Sequence, residues 1–204
     1  MSAPTTPAPV PAVRRDGAAT RQRLVRAALE LYTTVGYRAT TTPAIASHAG
    51  VAEGTIYRHF SGKEHLLNEV FRDVQRWATG QARELEADRT LTPPERLRRL
   101  AQRLVATAAD DPATIRMLLH CREERYLDAA SRDTARAFRE TLQGIMAGGK
   151  SDGVVRPGPA ELWASVWLAL VAFAAERVSA REWTPEHPHV ALTLDAAWDA
   201  IAAR

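Results

Sequence analysis

The chain contains 204 residues, of which 46% are hydrophobic and 25% are charged, the balance of a soluble globular protein with ample material for a core. The formal net charge is only +3, but ten basic and six acidic residues lie between Arg14 and Arg76, so positive charge is concentrated in that segment. A single cysteine, Cys121, excludes an internal disulfide framework, and the lack of a signal-peptide core leads us to expect a cytoplasmic protein.

Residues 1 to about 17 are rich in Pro, Ala and Thr without periodicity, which predicts a disordered tail. Arg14 and Arg15 at its end either form a basic arm for a minor groove or are simply solvated. Apolar residues at i, i+3, i+4 and i+7 then predict a first helix from about Thr20 to Val35, ended by a glycine. Its inward side chains are Leu24, Ala27, Ala28, Leu31, Tyr32 and Val35.

The next segment predicts two short helices around a tight turn. Thr42 is a good N-cap because its hydroxyl accepts an amide hydrogen, and Pro43 suits the first helical position. Gly50 fits the left-handed turn that ends this helix. The second helix is predicted from about Glu53 to Phe60, with Phe60 and the residue four before it facing the core. This is the layout of a helix-turn-helix, which places one helix in the major groove of DNA.

The outer face of the second helix carries polar and basic side chains. Arg58 is the best suited to read bases, because a guanidinium can bond O6 and N7 of guanine together. A face that is simply solvated is the alternative, but the cap, the proline and the glycine turn favour DNA reading. The face comprises Glu53, Gly54, Thr55, Arg58 and His59, with Tyr57 at its edge.

Several short motifs follow one another between Thr20 and Phe71. They are Ala27-Ala28-Leu29-Glu30-Leu31-Tyr32, Gly36-Tyr37, Thr41-Thr42, Ile45-Ala46, Ala49-Gly50-Val51, Gly54-Thr55-Ile56-Tyr57-Arg58-His59-Phe60 and Lys63-Glu64-His65-Leu66-Leu67. As a set, they resemble the N-terminal domain of TetR-family transcriptional regulators. Two positions depart from the family pattern. Ala52 replaces a serine-type cap, so the recognition helix begins less firmly, and Pro43 replaces a polar or basic side chain able to contact phosphate.

The resemblance implies a division of labour on DNA. The implied phosphate contacts are Thr42, Tyr57 and Lys63, the last through its side chain or its backbone. The residues implied to face base edges or the adjacent backbone are Glu53, Gly54, Thr55, Arg58 and His59. Phosphate contacts position a domain, whereas contacts to base edges carry sequence information.

Helical periodicity continues beyond the motif, and no segment alternates with a period of two over strand length, so the fold is predicted to be all-α. A three-helix DNA-binding domain, residues 18–66, would precede a helical domain for effector binding and dimerisation, residues 67–204. The next predicted helices run from Lys63 to about Ala87, Pro93 to about Asp110, Pro112 to about Tyr126, and about Ser131 to Met146, the last ending at Gly148-Gly149.

The last two predicted helices indicate how two copies of the chain associate. Pro159 to Ala180 is apolar almost all round, and its longest apolar run, Leu162 to Ala175, is shorter than the ~20 residues that cross a bilayer, so no membrane contact is expected. A helix over about 187 to 203 adds an apolar stripe. A twofold partner would cover both apolar surfaces, and the resemblance also implies such a dimer. A twofold dimer would require a palindromic operator. The alternative is that Pro159 to Ala180 forms the core helix of a monomer. The predicted interface is Trp163, Val166, Trp167, Leu170, Phe173, Val190, Leu194, Trp198 and Ile201.

The resemblance further implies a ligand pocket in the C-terminal half. Three charged or polar side chains at i, i+4 and i+8 share a helix face that can orient a polar ligand, and nearby large side chains can form its walls. The predicted set is Arg116, His120 and Glu124 for the polar group, with Trp77, Met117, Trp163 and Trp167 for the walls. The alternative is that these charges form surface pairs and the tryptophans belong to the core. The histidines lack metal-ligand spacing, so neither a metal nor a cofactor is expected.

These patterns, together with the resemblance, lead us to expect a ligand-responsive transcriptional regulator, more specifically a repressor that acts as a homodimer on double-stranded DNA and responds to an unknown small molecule. A DNA-binding factor without an effector is the alternative, and a C-terminal half without any cavity would favour it. An enzyme is not expected, because no nucleophile-base pair, phosphate loop or metal set is present in the sequence.

Overall fold

The computed structural model describes residues 13–121 and 124–203. In this part of the chain, paired extended backbone is limited to an isolated antiparallel bridge between Val155 and Ala202, so the predicted all-α fold is confirmed. The helices are α1 (Val13–Leu31), α2 (Thr42–His48), α3 (Glu53–His59), α4 (Lys63–Ala87), α5 (Pro93–Asp110), α6 (Pro112–His120), α7 (Ala129–Ser151), α8 (Ala160–Ser179) and α9 (Pro188–Asp199). A π-helical turn (Tyr32–Gly36) follows α1, and a 3-10 turn (Glu124–Tyr126) precedes α7.

The first helix begins earlier than predicted. α1 starts at Val13 and not near Thr20, so the last part of the predicted tail is helical. The weakest helix former in this extension, Gly17, costs a helix about 1 kcal/mol relative to alanine, which the rest of a long helix tolerates. Residues 1–12 of the predicted tail lie outside the described residues, as do the side chains of Arg14 and Arg15.

The end of the first helix also differs from the prediction, because the π-helical turn inserts an extra residue and shifts the helical phase. Val35, which was predicted to face inward, is 56% exposed for this reason. The hydroxyls of Thr33 and Thr34 donate to the carbonyls of Leu29 and Glu30 at 2.8 and 2.6 Å, which helps to satisfy backbone groups around the turn.

α2 and α3 form the predicted helix-turn-helix, with one correction at the N-cap. Thr41 caps α2, because its side-chain oxygen accepts a hydrogen bond from the Ala44 amide at 3.3 Å; Thr42 is already the first helical residue. Gly50 has the expected left-handed conformation, with φ at 65°. α3 keeps the predicted start at Glu53.

Replacing Gly50 by alanine is expected to lower the free energy of unfolding by about 1–2 kcal/mol. The added Cβ would meet no atom within 4 Å, so the effect comes only from forcing an L-residue into the left-handed region. Gly50→Asn should cost less, because asparagine tolerates this conformation better. Urea denaturation of the three proteins measures the difference, and an alanine variant as stable as the wild type would contradict the assigned turn.

α4 joins the two halves of the molecule and is buried in both of their cores. Its first half belongs to a core shared with α1, α2 and α3, and its second half belongs to a core shared with α5, α7 and α8. The N-terminal core also takes in Met117 of α6 and Ala135 of α7, while Leu118 of α6 packs against both cores. α6 therefore contributes side chains to both cores, as α4 does.

Two helices of the C-terminal half end before their predicted limits. α6 ends at His120 and not near Tyr126, because the backbone at Cys121 is extended, with ψ at 111°. α9 ends at Asp199, and the chain then turns back so that the Ala203 amide donates to the carbonyl of Val154 at 3.0 Å. The predicted extents of α4, α5 and α8 agree with the structure to within a residue.

α7 continues through Gly148 and Gly149, where we predicted a stop. A Cβ on Gly149 would lie 2.6 Å from Cγ2 of Val155, so this glycine serves a close contact inside the fold. The chain reverses later, at Gly153, whose φ of 73° lies in the left-handed region. A glycine pair alone does not distinguish these two uses.

α8 is longer than the apolar run that we judged too short to cross a bilayer. By length and composition alone, it could cross a bilayer, with a mean hydropathy of 1.4. Of this stretch, 39% is buried inside the protein, and core helices of soluble proteins pass the same test. Its composition is therefore weak evidence for a membrane.

Candidate nucleic-acid interface and cavities

The short helix α3 presents the predicted DNA-reading residues on its outer side. Ile56 and Phe60 are buried in the N-terminal core and fix the rotation of the helix about its axis. The outward set consists of Glu53, Gly54, Tyr57 and Arg58, which are exposed, and Thr55 and His59, which are half-buried. Neither Glu53 nor Arg58 takes part in an ion pair among the described residues, so both side chains are available to a ligand.

Thr42 and Tyr57 face each other across the helix-turn-helix. The Thr42 hydroxyl and the Tyr57 hydroxyl lie 3.0 Å apart and share a hydrogen bond, and the Tyr57 side chain is 58% exposed. The pair brings two of the three residues implied to contact phosphate to one place on the surface. Hydroxyls that bond each other at an exposed position can exchange that bond for one to a phosphate oxygen.

The third implied phosphate contact, Lys63, has a different role in the structure. Its ammonium donates to the carbonyls of Tyr37 and Thr40 at 2.7 and 2.8 Å, and lies 4.3 Å from the centre of the Tyr37 ring. The side chain therefore ties α4 to the segment before α2, and its ammonium is committed to backbone carbonyls. The backbone alternative remains, because the N-cap of α4, Gly62, provides no side-chain hydrogen bond and leaves first-turn amides open.

The helix-turn-helix is braced from the α1 side by a group that the sequence did not predict. His48 and Glu30 lie 2.7 Å apart, and Arg26 bonds the same carboxylate at 2.6 Å. The hydrogen bond from His48, and then the one from Arg26, hold the pKa of Glu30 below its ordinary value against the opposing effect of partial burial. The start of α3, in contrast, has no side-chain cap, because its N-cap residue is Ala52. This is the weaker start that the departure of Ala52 from the family pattern predicted.

Tyr37 is a contact point between the two halves of the molecule. Its ring lies 5.3 Å from the ring of Tyr32 and 4.7 Å from that of Tyr126, measured between centroids. Sequence reasoning assigned it no role. The only signal was its place beside a glycine in one of the short motifs.

Arg116, Met117 and His120 line one cavity of about 390 Å³, so three of the seven predicted ligand residues are brought together. The facing wall belongs to the DNA-binding half and includes Tyr32 and Tyr37. The cavity thus borders both the π-helical turn and α6.

Two polar side chains that line this cavity already donate hydrogen bonds to backbone carbonyls. The Arg116 guanidinium donates to the carbonyl of Ser179 at 3.1 Å, which ties α6 to the end of α8. The Tyr32 hydroxyl donates to the carbonyl of Lys63 at 3.2 Å, and burial raises the pKa of this phenol, which therefore stays neutral. Glu176 contributes a carboxylate to the lining.

Three of the four remaining predicted ligand residues, all tryptophans, do not line this cavity. Trp77 lines a separate one of about 270 Å³. Trp167 is buried in the C-terminal core and borders a void of about 70 Å³. Trp163 donates its Nε1 hydrogen to the carbonyl of Pro157 at 3.2 Å and so fixes the turn before α8. The side chain of Glu124 lies outside the described part of the chain.

The predicted interface residues also fall into two groups. Trp167, Val190 and Ile201 are buried within a single chain, so they belong to its core and cannot form a surface for a partner; this part of the prediction is wrong. Periodicity marks a residue as apolar without showing what covers it. The predicted interface residues that keep exposure are Trp163, Val166, Leu170, Phe173, Leu194 and Trp198, and Leu162 and Leu192 add exposed apolar surface nearby.

Residues 24–70 match the family described as bacterial regulatory proteins, tetR family. The transcriptional repressor KstR2 of Rhodococcus jostii (strain RHA1) is 31% identical over 143 residues, which are 67% of this chain and 68% of that protein. The chain belongs to the TetR family. Another TetR-type relative, KstR2 of Mycolicibacterium smegmatis, is 37% identical over 95 residues; the match spans 47% of this chain and 42%, less than half, of that protein.

Solved TetR-family structures share the fold. A TetR family transcription regulator from Marinobacter aquaeolei VT8 covers 94% of this chain and 100% of its own, with a TM-score of 0.78 at 22% identity. The complex of SmeT with triclosan covers 90% of this chain and 92% of its own, with a TM-score of 0.71 at 21% identity. The relatives matched by sequence are transcriptional regulators and not enzymes. Like the solved structures, this TetR-family chain is helical throughout its described residues, with a helix-turn-helix domain followed by a helical domain.

Proposed function

We propose that this TetR-family protein is a cytoplasmic repressor that binds a palindromic operator as a homodimer and is released by a small molecule. The observation that carries the proposal is the outer face of α3, where polar side chains project from a helix whose rotation is fixed by buried Ile56 and Phe60. The KstR2 relatives, which are named as repressors, support the direction of regulation.

In the proposed complex, α3 lies in the major groove. Arg58 bonds O6 and N7 of a guanine, and Glu53, Thr55 and His59 contact neighbouring base edges or the sugar-phosphate backbone. Gly54 is exposed, and a Cβ added to it would meet no atom within 4 Å, so internal packing does not require a glycine here. In the proposed complex, the missing side chain lets the backbone of α3 approach DNA closely.

Phosphate is bound at two places beside α3 in this proposal. The hydroxyls of Thr42 and Tyr57 replace their mutual hydrogen bond by bonds to one phosphate. The open amides at the start of α4 bind another, while the Lys63 side chain supports that segment from behind. These contacts position the domain and make binding depend on salt.

Dimerisation would cover the apolar face that α8 and α9 expose. Leu162 and Phe173 on α8 and Leu192 on α9 are large apolar side chains in contact with water in the single chain. Val166 and Leu170 are half-buried on the same side of α8. Two copies of this face related by a twofold axis would bury it and set two α3 helices on one side of DNA.

The wild-type protein should sediment as a dimer and should select an inverted repeat from a pool of random duplexes. The double variant Leu162→Glu with Leu192→Glu should sediment as a monomer, because it places charges on the proposed interface while both sites are exposed in the folded chain. It should also lose the preference for a repeat. A wild-type monomer that selects a single half-site would contradict the dimer and the palindrome together.

An effector in the cavity beside Arg116, Met117 and His120 is placed to affect DNA binding through α6. The N-cap of α6, Asp111, accepts a hydrogen bond from Arg26 of α1 at 2.6 Å. Burial acts to raise the pKa of Asp111, but hydrogen bonds from Arg26 and Thr114 outweigh it and hold the pKa below its ordinary value. A ligand that displaces α6 would therefore strain a link to the DNA-binding half.

The presence of cavities supports an effector over the alternative of an effector-free DNA-binding factor, and the SmeT–triclosan complex shows a small molecule with a protein of this fold. Ligand and operator would shift the equilibrium between the same two states of the dimer. Operator DNA must therefore lower the affinity for the ligand by the same factor by which the ligand lowers the affinity for DNA.

A further inference from the structure

A second cavity, of about 420 Å³, lies on the other side of the α6 end, between α4, α6 and α7. Phe71 of α4 and Leu119 of α6 contribute apolar wall. Arg132, Arg136 and Arg139 of α7 also line it. Its size falls in the range of small-molecule sites.

Gln75 gives this cavity an unused polar group. The residue is 5% exposed and lines the cavity, and its Oε1 atom has no hydrogen-bond partner among the described residues. Buried acceptors are nearly always paired, because an unpaired one has lost water without replacement. A ligand that brings an N–H or O–H group to this oxygen would satisfy it.

The three arginines make the mouth of the cavity positive. They occur at i, i+4 and i+7 of α7, which places them on one helix face, and all three are exposed. Arg136 forms an ion pair with Asp133 at 3.0 Å, and the Arg132 guanidinium donates to the carbonyl of Leu127. None of the described residues that line the cavity is acidic. An anion at the mouth therefore meets several guanidinium donors and no carboxylate in the lining.

We propose that this cavity binds an amphipathic acid. Its carboxylate or phosphate is held by the arginines of α7, its apolar body lies against Phe71 and Leu119, and a hydroxyl or amide N–H on that body donates to Oε1 of Gln75. The site is distinct from the effector cavity proposed above. Its test uses binding without DNA, so failure of this site leaves the repressor proposal standing and the reverse also holds.

Titration calorimetry of the full chain tests the site with three probes: 12-hydroxydodecanoate, dodecanoate and dodecan-1-ol. The hydroxy acid should bind most tightly, and the alcohol, which lacks the anion, should bind at least about tenfold more weakly. Arg136→Ala with Arg139→Ala should weaken both acids about tenfold or more, since charge-assisted hydrogen bonds are lost. Arg99→Ala, at an exposed site on α5, is the matched control and should change nothing.

Gln75→Leu supplies the second readout. It removes a buried unpaired oxygen, so the variant should fold, and it should bind dodecanoate at least as tightly as 12-hydroxydodecanoate, because the hydroxyl no longer has an acceptor. Acid and alcohol of equal affinity, no binding by either acid, or a Gln75→Leu variant that still prefers the hydroxy acid would each overturn the proposal. Loss of binding in Arg116→Ala, with the α7 double variant unchanged, would move the site to the neighbouring cavity and overturn it as well.

Discussion

Replacing Lys63 by methionine is expected to lower the free energy of unfolding by about 2–4 kcal/mol, because it removes the hydrogen bonds that the ammonium donates to two half-buried carbonyls, and each loss costs about 1–3 kcal/mol. The carbonyls concerned belong to Tyr37 and Thr40, and the contact of the ammonium with the Tyr37 ring is lost as well. Urea denaturation measures the change. The matched control is Lys150→Met, because Lys150 is exposed and its ammonium donates to an exposed carbonyl, that of Gly158.

The Lys63 experiment also separates two roles for this residue. The family resemblance implies a phosphate contact through its side chain or backbone, whereas the structure commits the side chain to holding the segment before α2. A methionine variant with wild-type stability and reduced DNA affinity would contradict the structural role. Reduced stability, with DNA affinity retained at a temperature where the variant is folded, would support it and leave phosphate to the backbone of α4.

Replacing Arg58 by alanine is expected to weaken operator binding by about 1–3 kcal/mol, or roughly 5- to 150-fold, for each half-site, because each half-site loses a bidentate contact to guanine. The side chain is exposed and makes no ion pair among the described residues, so stability in urea should stay within about 0.5 kcal/mol of the wild type. Fluorescence anisotropy with the selected operator and with single-base variants measures the effect.

The specificity of the Arg58 variant is as informative as its affinity. Loss of discrimination at one base pair of each half-site identifies the base that Arg58 reads. The control Arg99→Ala should bind like the wild type. If Arg58→Ala weakened operator and random duplex equally, Arg58 would be a phosphate contact and its assignment to base reading would be wrong.

The helix-turn-helix was predictable because its signals are local. Gly50 needs a left-handed conformation, and the face of α3 is fixed by two apolar residues four apart, so the sequence determines the turn and the outward residues of α3. The N-cap was misplaced by one residue, since Thr41 and Thr42 have the same capping chemistry and only the backbone distinguishes them.

The less predictable features depend on contacts between distant parts of the chain. The π-helical turn, which exposes Val35, has no sequence pattern of its own. Lys63 carries a charge that patterns assign to the surface, but the fold brings backbone carbonyls around it. Trp167 shows the same limit in the C-terminal half, because an apolar helix predicts burial without indicating whether the chain or a partner covers it.

The central claim is that α3 reads DNA, and equilibrium binding of the purified protein to the DNA flanking its own gene, over a salt series, tests it most directly. We predict binding tighter than to random duplex, a logarithm of the association constant that falls linearly with the logarithm of salt concentration, and a large loss in Arg58→Ala. Absence of binding to any duplex at low salt, or binding that is insensitive to Arg58→Ala and Tyr57→Ala together, would contradict the account.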